Sequence, residues 1–408
     1  MSDGAGARDG FDPDRRHAVV VGAGIGGLAA AVGLDRAGWQ VTVLEQAPAA
    51  REAGAGLSLL TNAQRALDRL GVGDTVRACA ASMAPGGDGL RTRSGRRLQA
   101  PPDPAFWREH GLDIAVLTRP DLHGALRFAL PRRSVRTGCE VLGAESTRDG
   151  ATVTYRTACG ERTLSGDVVV AADGAYSRIR AALWPRLPGP VYSGHSVWRG
   201  IAEGVDGDAE PGGSTWGPGA EFGRMPLTGG RIYWFAVANT PEGTRYSDEY
   251  AEVTRRFGTW HDPIPALIAA TPPAKVLRHD VFELPKPLPC YTAGRVVLLG
   301  DAAHLMTSDL GQGACQALED AAVLCAELAG DDVDRALTRY DEQRRERSQL
   351  IAAASHRMGE FKLTERRWER LRRDVRLRLA SSRPAREGVV GIGDWTPPAI
   401  PERVTVAR

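Results

Sequence analysis

The chain has 408 residues, 42% hydrophobic and 25% charged, with a formal net charge of +2. That length exceeds one ordinary compact core, so two joined domains of a soluble globular protein are expected. The near-neutral balance gives no argument for nucleic acid or a charged partner, and no apolar run of about 18 residues is present to span a membrane.

Residues 1–15 are small, acidic and glycine-rich, and read as a disordered tail rather than a signal peptide. The six cysteines form no C-x-x-C pair, which removes support for a zinc ribbon or a thioredoxin-like site and predicts a reducing, cytoplasmic home. His17 to Val21 is a valine-rich run suited to a buried parallel strand. It meets the turn Gly22-Ala23-Gly24-Ile25-Gly26-Gly27, then an alanine-rich helical stretch, then a second strand, Val41 to Leu44, ending at Glu45 and Gln46. In such a unit Gly22 makes the tight turn, Gly24 admits a pyrophosphate to the backbone, and Gly27 lets helix and strand pack closely. The phosphates then lie at the helix N-terminus, beside Ile25. Glu45 is placed to accept from a ribose hydroxyl and disfavours a 2′-phosphate there. A glycine turn alone is a weak sign; the two strands and the acid make dinucleotide binding the favoured reading, with FAD and NAD unseparated.

A second strand end carries Ala172-Asp173-Gly174 and runs on through Arg178 to Arg180. Between it and the next motif, proline and glycine punctuate three alternating stretches, Val197 to Ile201, Glu221 to Pro226 and Arg231 to Ala238, predicted as antiparallel strands. Five aromatic residues there, Trp198, Trp216, Phe222, Tyr233 and Phe235, are candidate walls of an apolar pocket for a flat substrate, although aromatic residues are more often core. Trp234 is expected to point opposite to its neighbours. A third strand end follows, Leu298-Leu299-Gly300-Asp301-Ala302-Ala303-His304, continuing through Leu310-Gly311-Gln312-Gly313 into a helix that begins at Ala314. The basic stretch from Glu365 to Arg378 interleaves Trp368, Leu371, Val375 and Leu379 at helical spacing; it is expected to dock that apolar stripe, with a membrane-surface or nucleic-acid role as the alternative.

The three glycine- and acid-bearing segments, in this order over residues 17–355, resemble the class A flavoprotein monooxygenases, the aromatic hydroxylase family. The resemblance implies a Rossmann-like α/β FAD-binding domain with an inserted antiparallel β-sheet substrate domain and a C-terminal helical region. The implied boundaries are 16–82, 109–187 and 285–360 for the FAD-binding domain, 83–108 and 188–284 for the substrate domain, and 361–408 for the C-terminal helix and tail. It implies that the first motif holds the ADP half of FAD and that Gly300 and Asp301 meet the ribityl chain. It further implies that Asp173 and Arg178 belong to a segment serving FAD and the nicotinamide substrate, and that Gly311, Gln312, Gly313 and Ala314 cover the flavin and pyrophosphate. Arg51, Gly56 and Leu57 resemble the stretch beside the flavin, and Arg119 resembles the arginine contacting the cofactor. Ser308 stands where many relatives carry proline.

The implied reaction uses FAD, NADH or NADPH as reductant and O2 as co-substrate. One oxygen atom is inserted, through a flavin C4a-hydroperoxide, into an aromatic or polycyclic small molecule by hydroxylation or epoxidation. A reductase or dehydrogenase of the same fold is the alternative, and a flavoprotein binding module without turnover is a third. Candidates for polar work are Tyr233, Arg199 and His304, with Arg199 either holding an anionic group or pairing with Glu203. Among urate hydroxylases of this family an arginine grips urate where this chain has Glu221, which argues against urate. No metal is expected, and the chain is expected to be a monomer or homodimer.

Overall fold

The computed structural model describes residues 14–49, 55–83, 89–100, 105, 109, 111–206, 211–330, 332–379 and 391–400. The proposed tail at 1–15 lies almost wholly outside these, and Arg51 lies outside them altogether. The strands His17–Val21, Gln40–Leu44, Val168–Ala171 and Val296–Leu298 pair in parallel at the centre of a six-stranded sheet. Their valine side chains are nearly all buried, as expected of a sheet covered on both faces. The helices Ile25–Arg36 and Gly313–Leu328 pack against each other and supply alanine, leucine and cysteine to the same core.

A second, seven-stranded sheet is built around Val191–Ala202, Ala220–Leu227 and Arg231–Asn239, which pair antiparallel. The short strands Leu90–Thr92 and Arg97–Gln99 extend one edge, and Leu277–Glu283 forms the other. Alternation along these strands gives the sheet two faces. The outer face buries Trp198, Phe222 and Trp234 against the helices Glu249–Phe257 and Ile264–Ala269. The inner face carries Tyr233, Phe235, Met225 and Ile201, packed with Val116 of the strand Ile114–Thr118. Trp234 therefore points away from Tyr233, as the alternation requires.

The helix Val333–Lys362 lies along Gly313–Leu328, and the helix Arg367–Leu379 follows it. Here the expectation of a docked apolar stripe fails. Trp368 is 74% exposed and Leu379 80%, with Leu371 and Val375 also exposed, whereas Arg373 is buried. The helix is held through its polar side.

Candidate active site

The glycine turn has the geometry that an entering phosphate needs. Gly22 has φ of +100°, and a Cβ on Gly27 would collide with the carbonyl oxygen of Gly22. The helix start therefore packs against the strand end only with glycine at both positions. At Gly24 a Cβ would meet nothing within 4 Å, so the space beside this backbone is open. The helix Ile25–Arg36 has no side-chain cap and no acid in its first turn, leaving its amides to an anion. Glu45 accepts from the amides of Ala23 and Ala47, both at 2.8 Å, which fixes the acid at the end of the second strand, beside Gln46.

Three strand ends converge on this turn. The position where Gly22 would carry a Cβ abuts Ala172 and Asp173, and that of Gly26 abuts Leu299 and Ala317. Arg180, buried, donates to the carbonyls of Ala175 (2.6 Å) and Ala302 (3.0 Å), tying the second motif to the third. Sequence reasoning passed over Arg180 in favour of Arg178. Arg178 instead is exposed and pairs with Glu140 at 2.7 Å, because the helix Arg178–Leu183 turns its first residue outward. That geometry does not direct it into the site.

Asp173 offers an opening for a ligand. Its Oδ2 accepts from the amide of Ile179, but its Oδ1 is buried without a partner. Burial pushes its carboxyl above the usual range. Asp301 is exposed at the start of the short helix Asp301–His304, following Gly300 at φ +64°. The helix Gly313–Leu328 again has no side-chain cap or first-turn acid, and a Cβ on Gly313 would meet nothing within 4 Å. Gly311 approaches Ser58 of the strand Gly56–Leu60, which also carries Leu57, and Gln312 accepts from Asn62 at 3.0 Å while its own Nε2 is unpartnered. Ala314 is partly buried in the first turn. Two uncapped helix starts, an orphaned carboxylate oxygen and an orphaned amide fit a long, polar, diphosphate-bearing cofactor such as FAD.

His304 is buried. Its Nε2 lies 2.6 Å from Asp320 Oδ2, and that carboxylate also accepts from the amide of Gly300 and from Arg344. The imidazole is buried beneath the third strand end, its Nδ1 without a partner, and its attachment to Asp320 supports the Gly300-Asp301 turn. Burial works to raise the Asp320 carboxyl, but His304 and Arg344 hold it at about 2.

The strand Gly56–Leu60 pairs with Ile114–Thr118 in a separate three-stranded sheet, and a Cβ on Gly56 would collide with the ring of Tyr233, so this ring lies directly on that strand. Burial raises the Tyr233 phenol above the usual value, with the Arg199 guanidinium nearby working against that rise. Arg199 does not pair with Glu203, which binds Lys275 at 2.8 Å. Arg119, exposed, begins the helix Arg119–Phe128, and its amide donates to Ala55 O beside Gly56. Of the five candidate aromatics, Tyr233 and Phe235 lie on the inner face. Trp198 and Phe222 are corrections: strand alternation turns them outward into the core against Phe257, and Trp198 donates to Glu249. Trp216 is also displaced from the proposed wall, packing on Phe361 and beneath Arg373.

A buried cluster that sequence reasoning missed lies beside the Ser308–Leu310 turn. Lys362 pairs with Asp309 at 2.9 Å and with Glu221. Glu221 also accepts from Ser214 and Trp216, and His195 Nε2 lies 3.7 Å from Asp309. Both oxygens of Glu221 are thus engaged within the protein. Lys362 is one of three lysines in a chain rich in arginine, the only signal in the sequence that set it apart.

A sequence family described as an FAD binding domain matches residues 15–355. The chain is 39% identical to aurachin C monooxygenase/isomerase from Stigmatella aurantiaca over 370 residues, covering 89% of this chain and 94% of that protein. It is 32% identical to an FAD-dependent urate hydroxylase from Klebsiella pneumoniae over 381 residues, covering 89% and 96%. Among solved structures, Klebsiella pneumoniae HpxO complexed with FAD and uric acid superposes with a TM-score of 0.84 at 29% identity, covering 94% of this chain and 97% of that one.

Proposed function

The chain belongs to the class A FAD-dependent monooxygenases, the aromatic hydroxylase family, and from that premise we propose that its aromatic substrate lies against Tyr233 and Phe235, across the flavin from the glycine turn. The enzyme is an FAD monooxygenase that inserts an oxygen atom into an organic substrate. When bound, FAD supplies electron transfer from NADH or NADPH and the activation of O2.

The observation that carries the placement is the contact of Tyr233 with Gly56, which sets a buried phenol from the substrate sheet onto the cofactor-side strand. Arg199 and the inner-face residues Ile201, Met225 and Phe235 complete a surface that is apolar with one polar corner. Such a surface takes a flat ring, excludes water from it, and offers a phenolic O–H and a guanidinium to a ring hydroxyl or carbonyl. Relatives named for 3-hydroxybenzoate and 3-amino-4-hydroxybenzoate support a ring bearing a hydroxyl or amino group. The internal engagement of Glu221 leaves no group there to grip urate, which supports a different substrate.

On the cofactor side, the diphosphate is assigned to Gly24, Ile25 and Gly27, the adenosine ribose to Glu45, and the ribityl chain to Asp301. The domain boundaries inferred from the sequence, a cytoplasmic location, and a monomer or homodimer without nucleic acid belong to the same reading. Among the described residues no helix is long and apolar enough to cross a membrane. A screen of phenols and polycyclic or heteroaromatic compounds for stimulated NAD(P)H oxidation tests the substrate class. Stimulation by aliphatic substrates alone would contradict it.

A further inference from the structure

The helix Arg367–Leu379 is mounted the reverse of an ordinary surface helix. Arg373 is buried, donating to Lys362 O and lying 5.3 Å from the centre of the Trp216 ring. Just before the helix, Glu365 accepts from Asn239 of the substrate sheet at 2.9 Å. The polar side therefore holds the helix to the protein. Trp368, Leu371, Val375 and Leu379, spaced three and four residues apart, form one stripe, and all four are exposed. Burying this stripe against the protein would have gained hydrophobic free energy, so its outward position calls for an occupant.

The charge around the stripe identifies that occupant. From Glu365 to Arg378 the sequence has seven arginines against three acids, while the whole chain is only +2. The basic excess is thus concentrated in this segment. On a helix of 3.6 residues per turn Arg372 and Arg378 flank the stripe on opposite sides, and both are exposed. A second copy of the chain would bring two such arginine rims together, which like charge opposes. A surface that is apolar within and anionic at its border satisfies both features.

We infer that the helix Arg367–Leu379 lies on an anionic phospholipid surface, with Trp368, Leu371, Val375 and Leu379 among the acyl chains and the flanking arginines on headgroup phosphates. The anchorage through Arg373 and Glu365 then sets the substrate sheet against the bilayer, where lipid-soluble aromatic compounds concentrate. This association is peripheral and does not depend on the assignment of the substrate.

The test is vesicle flotation of the full-length holoprotein with phosphatidylcholine vesicles and with vesicles containing phosphatidylglycerol. The protein is expected to float with the anionic vesicles and not with the neutral ones, and to be released as salt is raised. Trp368→Ser combined with Leu371→Ser, and separately Arg372→Gln combined with Arg378→Gln, should each weaken binding about tenfold or more. FAD content and thermal melting should be unchanged, since these side chains are exposed. No flotation with anionic vesicles, or equal flotation of the variants, overturns the inference. So does a dimer in sedimentation velocity that the Trp368→Ser/Leu371→Ser variant dissolves without any vesicle binding, which would make a second copy the occupant.

Discussion

Lys362 Nζ lies 2.9 Å from Asp309 Oδ1, joining the end of the long helix Val333–Lys362 to the turn that leads into Leu310-Gly311-Gln312-Gly313. Burial works against the charge of Lys362, but Glu221 and Asp309 hold its ammonium above the usual lysine value. One cation therefore fixes the substrate sheet, the cofactor-side loop and the C-terminal helix together. Lys362→Met leaves two buried carboxylates unpaired and should destabilise the protein by about 3–5 kcal/mol. Removing one of those carboxylates as well, as Lys362→Met with Glu221→Gln, should recover part of that loss. Melting temperature and FAD retention measure both. A Lys362→Met variant as stable as the parent would show that the cluster is not a clamp.

The two glycines of the first motif should fail in different ways when given a methyl group. Gly24 has φ of −69° and open space beside it, so Gly24→Ala should leave the apoprotein fold intact but weaken FAD binding about tenfold or more. Gly27→Ala meets the carbonyl oxygen of Gly22 and should lower the stability of the apoprotein itself, by about 1–3 kcal/mol. Flavin titration and thermal melting of apoprotein separate the two. Unchanged FAD affinity in Gly24→Ala would remove the pyrophosphate from that position.

Substrate turnover should depend on the inner face of the seven-stranded sheet and not on its outer face. Tyr233→Phe removes the hydroxyl beside Arg199 and should lower kcat/KM for substrate-stimulated NAD(P)H oxidation about tenfold, with FAD content unchanged. Trp198→Phe, which loses a hydrogen bond to Glu249 in the outer core, should alter stability alone. The reverse pattern would mean that the substrate lies elsewhere.

Acid should act through the base of the third motif. Asp320 has its folded carboxyl at about 2, below the 3.8 of the free group, so its contribution to stability is complete above that free value. The contribution is lost as pH falls through about 2, and amounts to about 2 kcal/mol. The parent should lose melting temperature across this interval, whereas Asp320→Asn, less stable throughout, should lack this component. Parallel curves for both proteins would contradict the assignment.

The cofactor half of the site was legible because its requirements act on local sequence. A strand, a glycine turn and a helix leave their marks within thirty or so residues, as in Gly22 to Glu45. The parallel strands and the three antiparallel stretches were legible for the same reason. Which aromatic residues lie on the inner face of the sheet was not, because Trp198 and Tyr233 sit on different strands whose relative register only the folded sheet decides. The pairing of Lys362 with Asp309 and Glu221 spans distant segments and left no periodic trace. Periodicity located the stripe of Trp368 to Leu379, but which side of that helix meets the protein depends on Arg373 and Trp216. For His304 the residue type suggested catalysis, but nothing in the sequence announced that its Nε2 is held by the buried Asp320.

Oxygen-isotope labelling tests the central claim most directly. With an aromatic substrate that stimulates NAD(P)H oxidation, the reaction is run under oxygen-18 gas and the product is examined by mass spectrometry. A monooxygenase predicts a single labelled oxygen atom in the product, with NAD(P)H consumed in step. NAD(P)H consumption balanced wholly by hydrogen peroxide, or by a reduced product without label, would contradict it and favour a reductase on the same fold.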